Sequence, residues 1–196
     1  VVFIKPFNQG DVVMGALLVF LVSFSSFAQA YIENAKTPLC FRGSDILSIN
    51  NNEALGWKST TQNQYKSQGY IAGVLDGQIK LVGDHYRFIL RIGNGPRDLI
   101  EVVYNENFGS IPKVETGAQI SVCGEFINSF KATGRYQASP AGAIIHWAHY
   151  NPGTRAGSAN HEHGFIMIEG STLVGFDDAK PAAWDGEISG FKPGQR

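Results

Sequence analysis

Four of the chain's five histidines fall in one stretch, "IIHWAHYNPGTRAGSANHEHG", from Ile144 to Gly164. His146 and His149 stand at H-x-x-H spacing, and His161 and His163 at H-x-H spacing. Neutral imidazole ligates zinc, copper, nickel or iron, and three nitrogen donors with one open position suit hydrolysis. Imidazole also titrates near neutrality, so any of the four could serve as a general base. The third option is a surface that binds a ligand without transforming it. No H-E-x-x-H helix motif and no G-x-S-x-G elbow occurs in the sequence, and His161-Glu162-His163 is neither. In a regular strand His146 and His149 point to opposite faces, because three is an odd step. They can meet only where the strand bulges or stops before His149, and "NPG" at Asn151 is a stop signal.

The elements that must position these residues read as strands. Gly69 to Val82 puts Ile71, Leu75, Ile79 and Leu81 on one face, with Gly73 and Gly77 between them. "HYRFILRI" alternates cleanly, with Tyr86, Phe88, Leu90 and Ile92 inward and His85, Arg87, Ile89 and Arg91 outward. "DLIEVVY" is a third strand. "NENFGSIPKVETG" is a short helical or turn-rich connection. "AQISVCGEF" turns Ile120, Val122 and Phe126 in and Cys123 out, and "AIIHWAHY" is a fifth strand. "FIMIEGSTLVGF" closes the series as a strand or hairpin. Before the strands, "SDILSINNNEALGW" opens a short helix with Ser44 as N-cap, and "STTQNQYKSQ" is a polar linker. Three meandering strands, a short connection and two more strands are the order of an OB-type barrel. The fold class is therefore mostly β, a small OB-like barrel with one short helix and a polar tail.

The N-terminal residues carry a different signal. The apolar run Val12 to Phe24 is too short for a membrane span, and "AQA" at Ala28 to Ala30 suits a signal peptidase. The expectation is export with cleavage after Ala30. The organisation is then 1–30 signal peptide, 31–68 irregular and helical segment, 69–176 barrel, and 177–196 flexible tail. Cys40 and Cys123 are the only cysteines, and an even count in an exported chain predicts a disulfide between them. The net charge of −1 gives no general attraction to nucleic acid or anionic lipid.

Several motifs taken together resemble an exported bacterial family catalogued as domain of unknown function three-four-six-five. The matching elements are "HYRF" at His85, "YNEN" at Tyr104, "GAQISVCGEF" at Gly117, "HWAHYNP" at His146 and "HEHGF" at His161. They keep their order from about Gly69 to Gly175. The resemblance implies a site made of His85, Asn105, Glu125, His146, Trp147, His149 and His161. His146, His149 and His161 are therefore expected to lie close together, with His85 as a fourth member, and imidazole chemistry makes the first three the candidate ligand set if a divalent ion such as zinc binds. The chain departs from the pattern at Tyr86, Tyr104, Ala148, Tyr150 and Asn151, which removes polar groups beside His149. The reading is an exported binding or accessory module centred on the histidines, taking a small ligand, a glycan or a protein outside the cytoplasm. The alternative is a metal-dependent hydrolase, acting on nucleic acid or another phosphoester. Arg87, Arg91, Tyr86, Tyr104, Trp147 and Tyr150 could offer charge and stacking to a bound ligand in the first of these readings.

Overall fold

A computed structural model describes residues 37–151 and 161–175. They belong to the unit that runs from Tyr31 to Arg196. The expected signal peptide, the loop after Asn151 and the polar tail from Asp177 lie outside the described residues.

The segment expected to be irregular opens with a hairpin, β1 (Cys40–Arg42) and β2 (Asp45–Leu47), paired antiparallel. Helix α1 (Asn51–Thr60) follows. Its cap is Asn50 and not Ser44, which falls in the hairpin turn. The Asn50 side chain accepts the Glu53 backbone N–H at 3.1 Å, so the asparagine run starts the helix. At its other end the buried Asn128 amide donates to the carbonyl of Thr61 at 3.0 Å and of Trp57 at 3.3 Å. The first barrel strand, β3 (Lys66–Leu75), begins at Lys66 and not Gly69, so the polar linker is partly strand.

A short arm, β4 (Lys80–Val82), pairs only with β5 (His85–Arg91). Leu81 is exposed there and does not join Ile71 and Leu75 inside, because β4 stands off the barrel. Next come β6 (Leu99–Asn105), one 3₁₀ turn (Glu106–Phe108), β7 (Gln119–Asn128) and β8 (Ala143–His146). Strands β9 (Phe165–Ile168) and β10 (Thr172–Val174) form the last hairpin.

β3 pairs with β5, β5 with β6, β6 in parallel with β8, β8 with β7, and β7 back with β3. This closes a five-stranded barrel of OB type, which leaves no open edge within the ring. The interior follows the sequence alternation. Ile71, Leu75, Phe88, Leu90, Ile100, Val102, Tyr104, Ile120, Val122, Phe126 and Ile145 share one buried core. Complete burial of each aliphatic side chain stabilises by about 1.5–3 kcal/mol.

β7 has two neighbours along its other edge. Ile120 to Cys123 pair with β9, and Glu125 to Asn128 pair with β8. Gly124 lies where one partner gives way to the next. On the outer face of β7, Cys123 bonds to Cys40 with Cα atoms 5.7 Å apart. That separation is ordinary for a disulfide. Tyr70, Phe165 and Met167 bury the bridge in a second apolar cluster.

Candidate functional site

The register brings the candidate residues to one end of the barrel. His85 opens β5 opposite Asn105, where β6 ends. β8 runs parallel to β6, so its last residue, His146, reaches the same end, opposite Glu125 of β7. The start of β9 is placed there too, because Phe165 pairs with Cys123.

β8 stops at His146, and Trp147 takes a left-handed backbone with φ of 55°. This one residue breaks the alternation that would have sent His146 and His149 to opposite faces. A left-handed tryptophan costs energy and persists only where its surroundings over-determine it. Two glycines supply the constraint. A Cβ on Gly124 would stand 2.6 Å from the His146 carbonyl oxygen. A Cβ on Gly164 would overlap the carbonyl oxygens of Trp147 and Cys123 and stand 2.8 Å from Ala148 Cα. Backbone therefore presses on backbone at the seam where β7 passes from β9 to β8, and the 147–149 turn is clasped between them. Backbone bonds from Gly164 N–H to the His149 carbonyl (2.8 Å) and from Tyr150 N–H to the Gly175 carbonyl (2.7 Å) hold it further.

The rings assemble around Trp147. The His161 ring stacks on the indole at 4.3 Å, His146 meets it edge-on at 4.4 Å, and His149 lies at 5.8 Å. His149 and His161 are 5.4 Å apart, centre to centre. His85 stacks on His146 at 5.8 Å. Phe108, from the 3₁₀ turn, lies flat on His149 at 3.4 Å.

Hydrogen bonds fix the tautomers. A carbonyl oxygen can only accept, so His149 donates Nδ1–H to Tyr150 (2.7 Å) and His161 donates Nδ1–H to Glu162 (2.9 Å). In each ring Nε2 is then the bare acceptor. The Nε2 of His161 is buried and has no hydrogen-bond partner among the described residues. His85 Nδ1 lies 2.6 Å from a carboxylate oxygen of Asp84.

The site favours uncharged imidazole. Burial, then neighbouring His85, His149 and His161 and the Lys66 ammonium, push the His146 pKa down to about 3. Burial takes His149 down to about 4 despite its bond to the Tyr150 carbonyl. His161 is also lowered, first by burial, with partial compensation from the Glu162 carbonyl and the Glu125 carboxylate.

The remaining candidates divide. Asn105 serves its own chain, since its side chain accepts the Asn107 N–H at 2.9 Å and caps the 3₁₀ turn. Glu125 faces outward beside His146 and pairs with Lys66 at 3.0 Å. His163 is apart from the ring assembly around Trp147. It stacks on Tyr150 at 4.6 Å, and its Nδ1 accepts the Asn151 N–H at 2.9 Å. Tyr104, one of the candidate stacking aromatics, is fully buried in the barrel and cannot meet a ligand. Phe108, Lys66 and Asp84 were not singled out from the sequence. Asp84 had a signal, being adjacent to His85, but Phe108 and Lys66 become neighbours only through the barrel's closure.

His146, His149 and His161, the expected ligand set for one ion, all lie near the Trp147 ring. Among the described residues no three of His, Cys, Asp and Glu are placed to hold a metal ion. The indole of Trp147 lies against both His146 and His161, and only His149 and His161 have their Nδ1–H groups fixed on carbonyls.

Fold and site together define a small OB-type barrel with an imidazole–indole assembly at one end. No family model matches the chain, and no curated protein matches it. Among solved structures it is similar to asparaginyl-tRNA synthetase from Pyrococcus horikoshii, complexed with asparaginyl-adenylate. The identity is 19%, over 43% of this chain and 18% of that one, with a TM-score of 0.31. The chain thus spans less than a fifth of that structure.

Proposed function

We propose that the chain is an exported binding or accessory module whose ligand enters at the histidine–tryptophan end of the barrel. The observation that carries this reading is the buried, unpartnered Nε2 of His161, beside an indole and a second imidazole anchored in the same way. A buried acceptor without a donor is costly, and a ligand N–H, O–H or cation removes that cost. The ligand class is a small molecule, a glycan or a protein segment with donor groups and a flat or apolar face. The near-neutral charge argues against nucleic acid. Export is supported by the buried Cys40–Cys123 disulfide, since such bonds form in oxidising compartments. Among the described residues no helix is long and apolar enough to cross a membrane. The resemblance to the exported family of unknown function agrees with this reading.

The second reading is a metal-dependent hydrolase on the same residues. It is favoured by the carbonyl-anchored Nδ1–H groups, which are the usual support of metal-bound histidine. It is opposed by the need of catalytic zinc for three protein ligands.

Phenol, with a flat ring and one O–H donor, tests the binding reading. It is titrated into the full chain with a chelator present and followed by NMR. The expected result is saturable shifts of Trp147, His149 and His161 ring signals, with those of Trp147 and His149 weakened in His161→Gln. Shifts spread over other aromatics, or none at these three, would contradict it.

A further inference from the structure

His149 and His161 share an arrangement that neither His146 nor His163 has. Each ring is pinned through Nδ1–H to the carbonyl of the next residue, and each has Nε2 left as its lone-pair donor. Among the described residues no hydrogen bond occupies the Nε2 of His161, which is buried.

The spacing suits one shared ion. A metal about 2.0–2.1 Å from an imidazole nitrogen lies roughly 3.2 Å from the ring centre, and two rings at a tetrahedral angle are then about 5.2 Å apart. The observed separation is 5.4 Å, with the ring planes 79° apart. Phe108 packs flat on His149 and Trp147 flat on His161, so both rings are fixed by stacking as well as by hydrogen bonds. That double restraint is what holds a ligand pair in place before the ion arrives.

We propose that His149 and His161 form a two-imidazole anchor for tetrahedral transition-metal ions of the Zn(II) class, for which copper(II) serves as a spectroscopic probe. The proposal rests on the binding reading above and names the ligand of that site. Imidazole nitrogen suits these ions, whereas calcium and magnesium require oxygen. No third protein ligand is in place among the described residues. The other coordination positions would be completed by water or by a donor atom from a second molecule. An ion with half its shell open would attach a partner or small ligand to the barrel end, consistent with an accessory role.

Copper(II) tests this on the full chain after chelator treatment, added below one equivalent at neutral pH. Electron paramagnetic resonance counts the nitrogen ligands in the unmutated protein, so the answer does not depend on a variant folding. Two imidazole nitrogens are expected. His149→Gln and His161→Gln should each weaken binding by more than the roughly 10–100-fold that a change in a supporting residue produces. His163→Gln should leave affinity and spectrum unchanged. Absence of specific copper binding, binding that survives both substitutions, or a third nitrogen lost in His146→Gln would each overturn the two-histidine anchor. The phenol titration is run with chelator, so its outcome is separate. Phenol shifts without copper binding would leave the binding reading standing and remove the metal.

Discussion

Replacing Gly164 by alanine tests how the site is held. Only three heavy atoms need to be considered. The added methyl would overlap the carbonyl oxygens of Trp147 and Cys123 and come within 2.8 Å of Ala148 Cα. All three are backbone, so no side chain can rotate away. Cys123 is further tied by its disulfide and by its pairing with β9. Overpacking costs typically about 1–3 kcal/mol where side chains can adjust, and a clash with fixed backbone belongs at or above the top of that range. An expected loss of ~3 kcal/mol or more corresponds to a fall in Tm of roughly 6–12 °C for a domain of this size. Gly56→Ala is the paired control. That position is inside α1 and has no atom within 4 Å of an added Cβ, so alanine should stabilise by about 0.5–1 kcal/mol. Urea unfolding followed by tryptophan fluorescence measures both. The Gly164 variant should also lose the separate His149 and His161 ring signals, because the 147–149 turn can no longer seat against β7. A Gly164→Ala protein within about 0.5 kcal/mol of the parent would refute the clasp, and with it the explanation for the left-handed Trp147.

Joint replacement of Cys40 and Cys123 by alanine opens a loop with a sequence separation of 83 and should cost about 4–5 kcal/mol, read from the urea midpoint; an unchanged midpoint would contradict a structural role for the bridge. Acid should destabilise the fold. His146, His149 and His163 have folded pKa values of about 3, 4 and 4, below their unfolded value. The unfolded chain therefore binds more protons below about pH 6.5, so stability is complete above that pH and falls as pH drops towards 4. At about pH 4.5 each would cost roughly 2–3 kcal/mol if independent, and less in sum because they interact; urea midpoints equal at pH 7 and 4.5 would contradict neutral buried rings. Asn128→Ala removes the amide that satisfies the last carbonyls of α1 and should cost about 1–3 kcal/mol. A loss below about 0.5 kcal/mol would show that water replaces the amide.

Much of the barrel was legible because strand alternation is a local signal. Tyr86, Phe88, Leu90 and Ile92 could be assigned to one face from their spacing; Phe88, Leu90 and Ile92 are buried in the core and Tyr86 packs against it. Cys123 could be placed opposite Val122 for the same reason. The errors lie where tertiary partners decide. Cys40 to Asp45 looked irregular and Ser44 to Leu47 read as the start of a helix, because three-residue strands carry no periodicity; the hairpin is held by the disulfide and by the Arg42 bonds to Glu53 and to the Gln68 carbonyl. Leu81 fits an inward pattern and is exposed because β4 leaves the barrel wall. At the site, His146 and His149 were seen to conflict under strand geometry. Their resolution, a left-handed residue at Trp147, has no signature in a tryptophan. Its cause lies in Gly124 and Gly164, which are far away in sequence and meet the turn only when β7 changes partners.

The central claim is that His149 and His161 are uncharged imidazoles with Nδ1 protonated and Nε2 bare. Long-range proton–nitrogen NMR on uniformly labelled protein at neutral pH, with chelator present, reports the state of each ring nitrogen directly. The account predicts that both rings show a pyrrole-type Nδ1 and a pyridine-type Nε2, the state set by the carbonyls of Tyr150 and Glu162. Rings protonated on Nε2, or imidazolium at neutral pH, would leave no acceptor for a ligand and would contradict it.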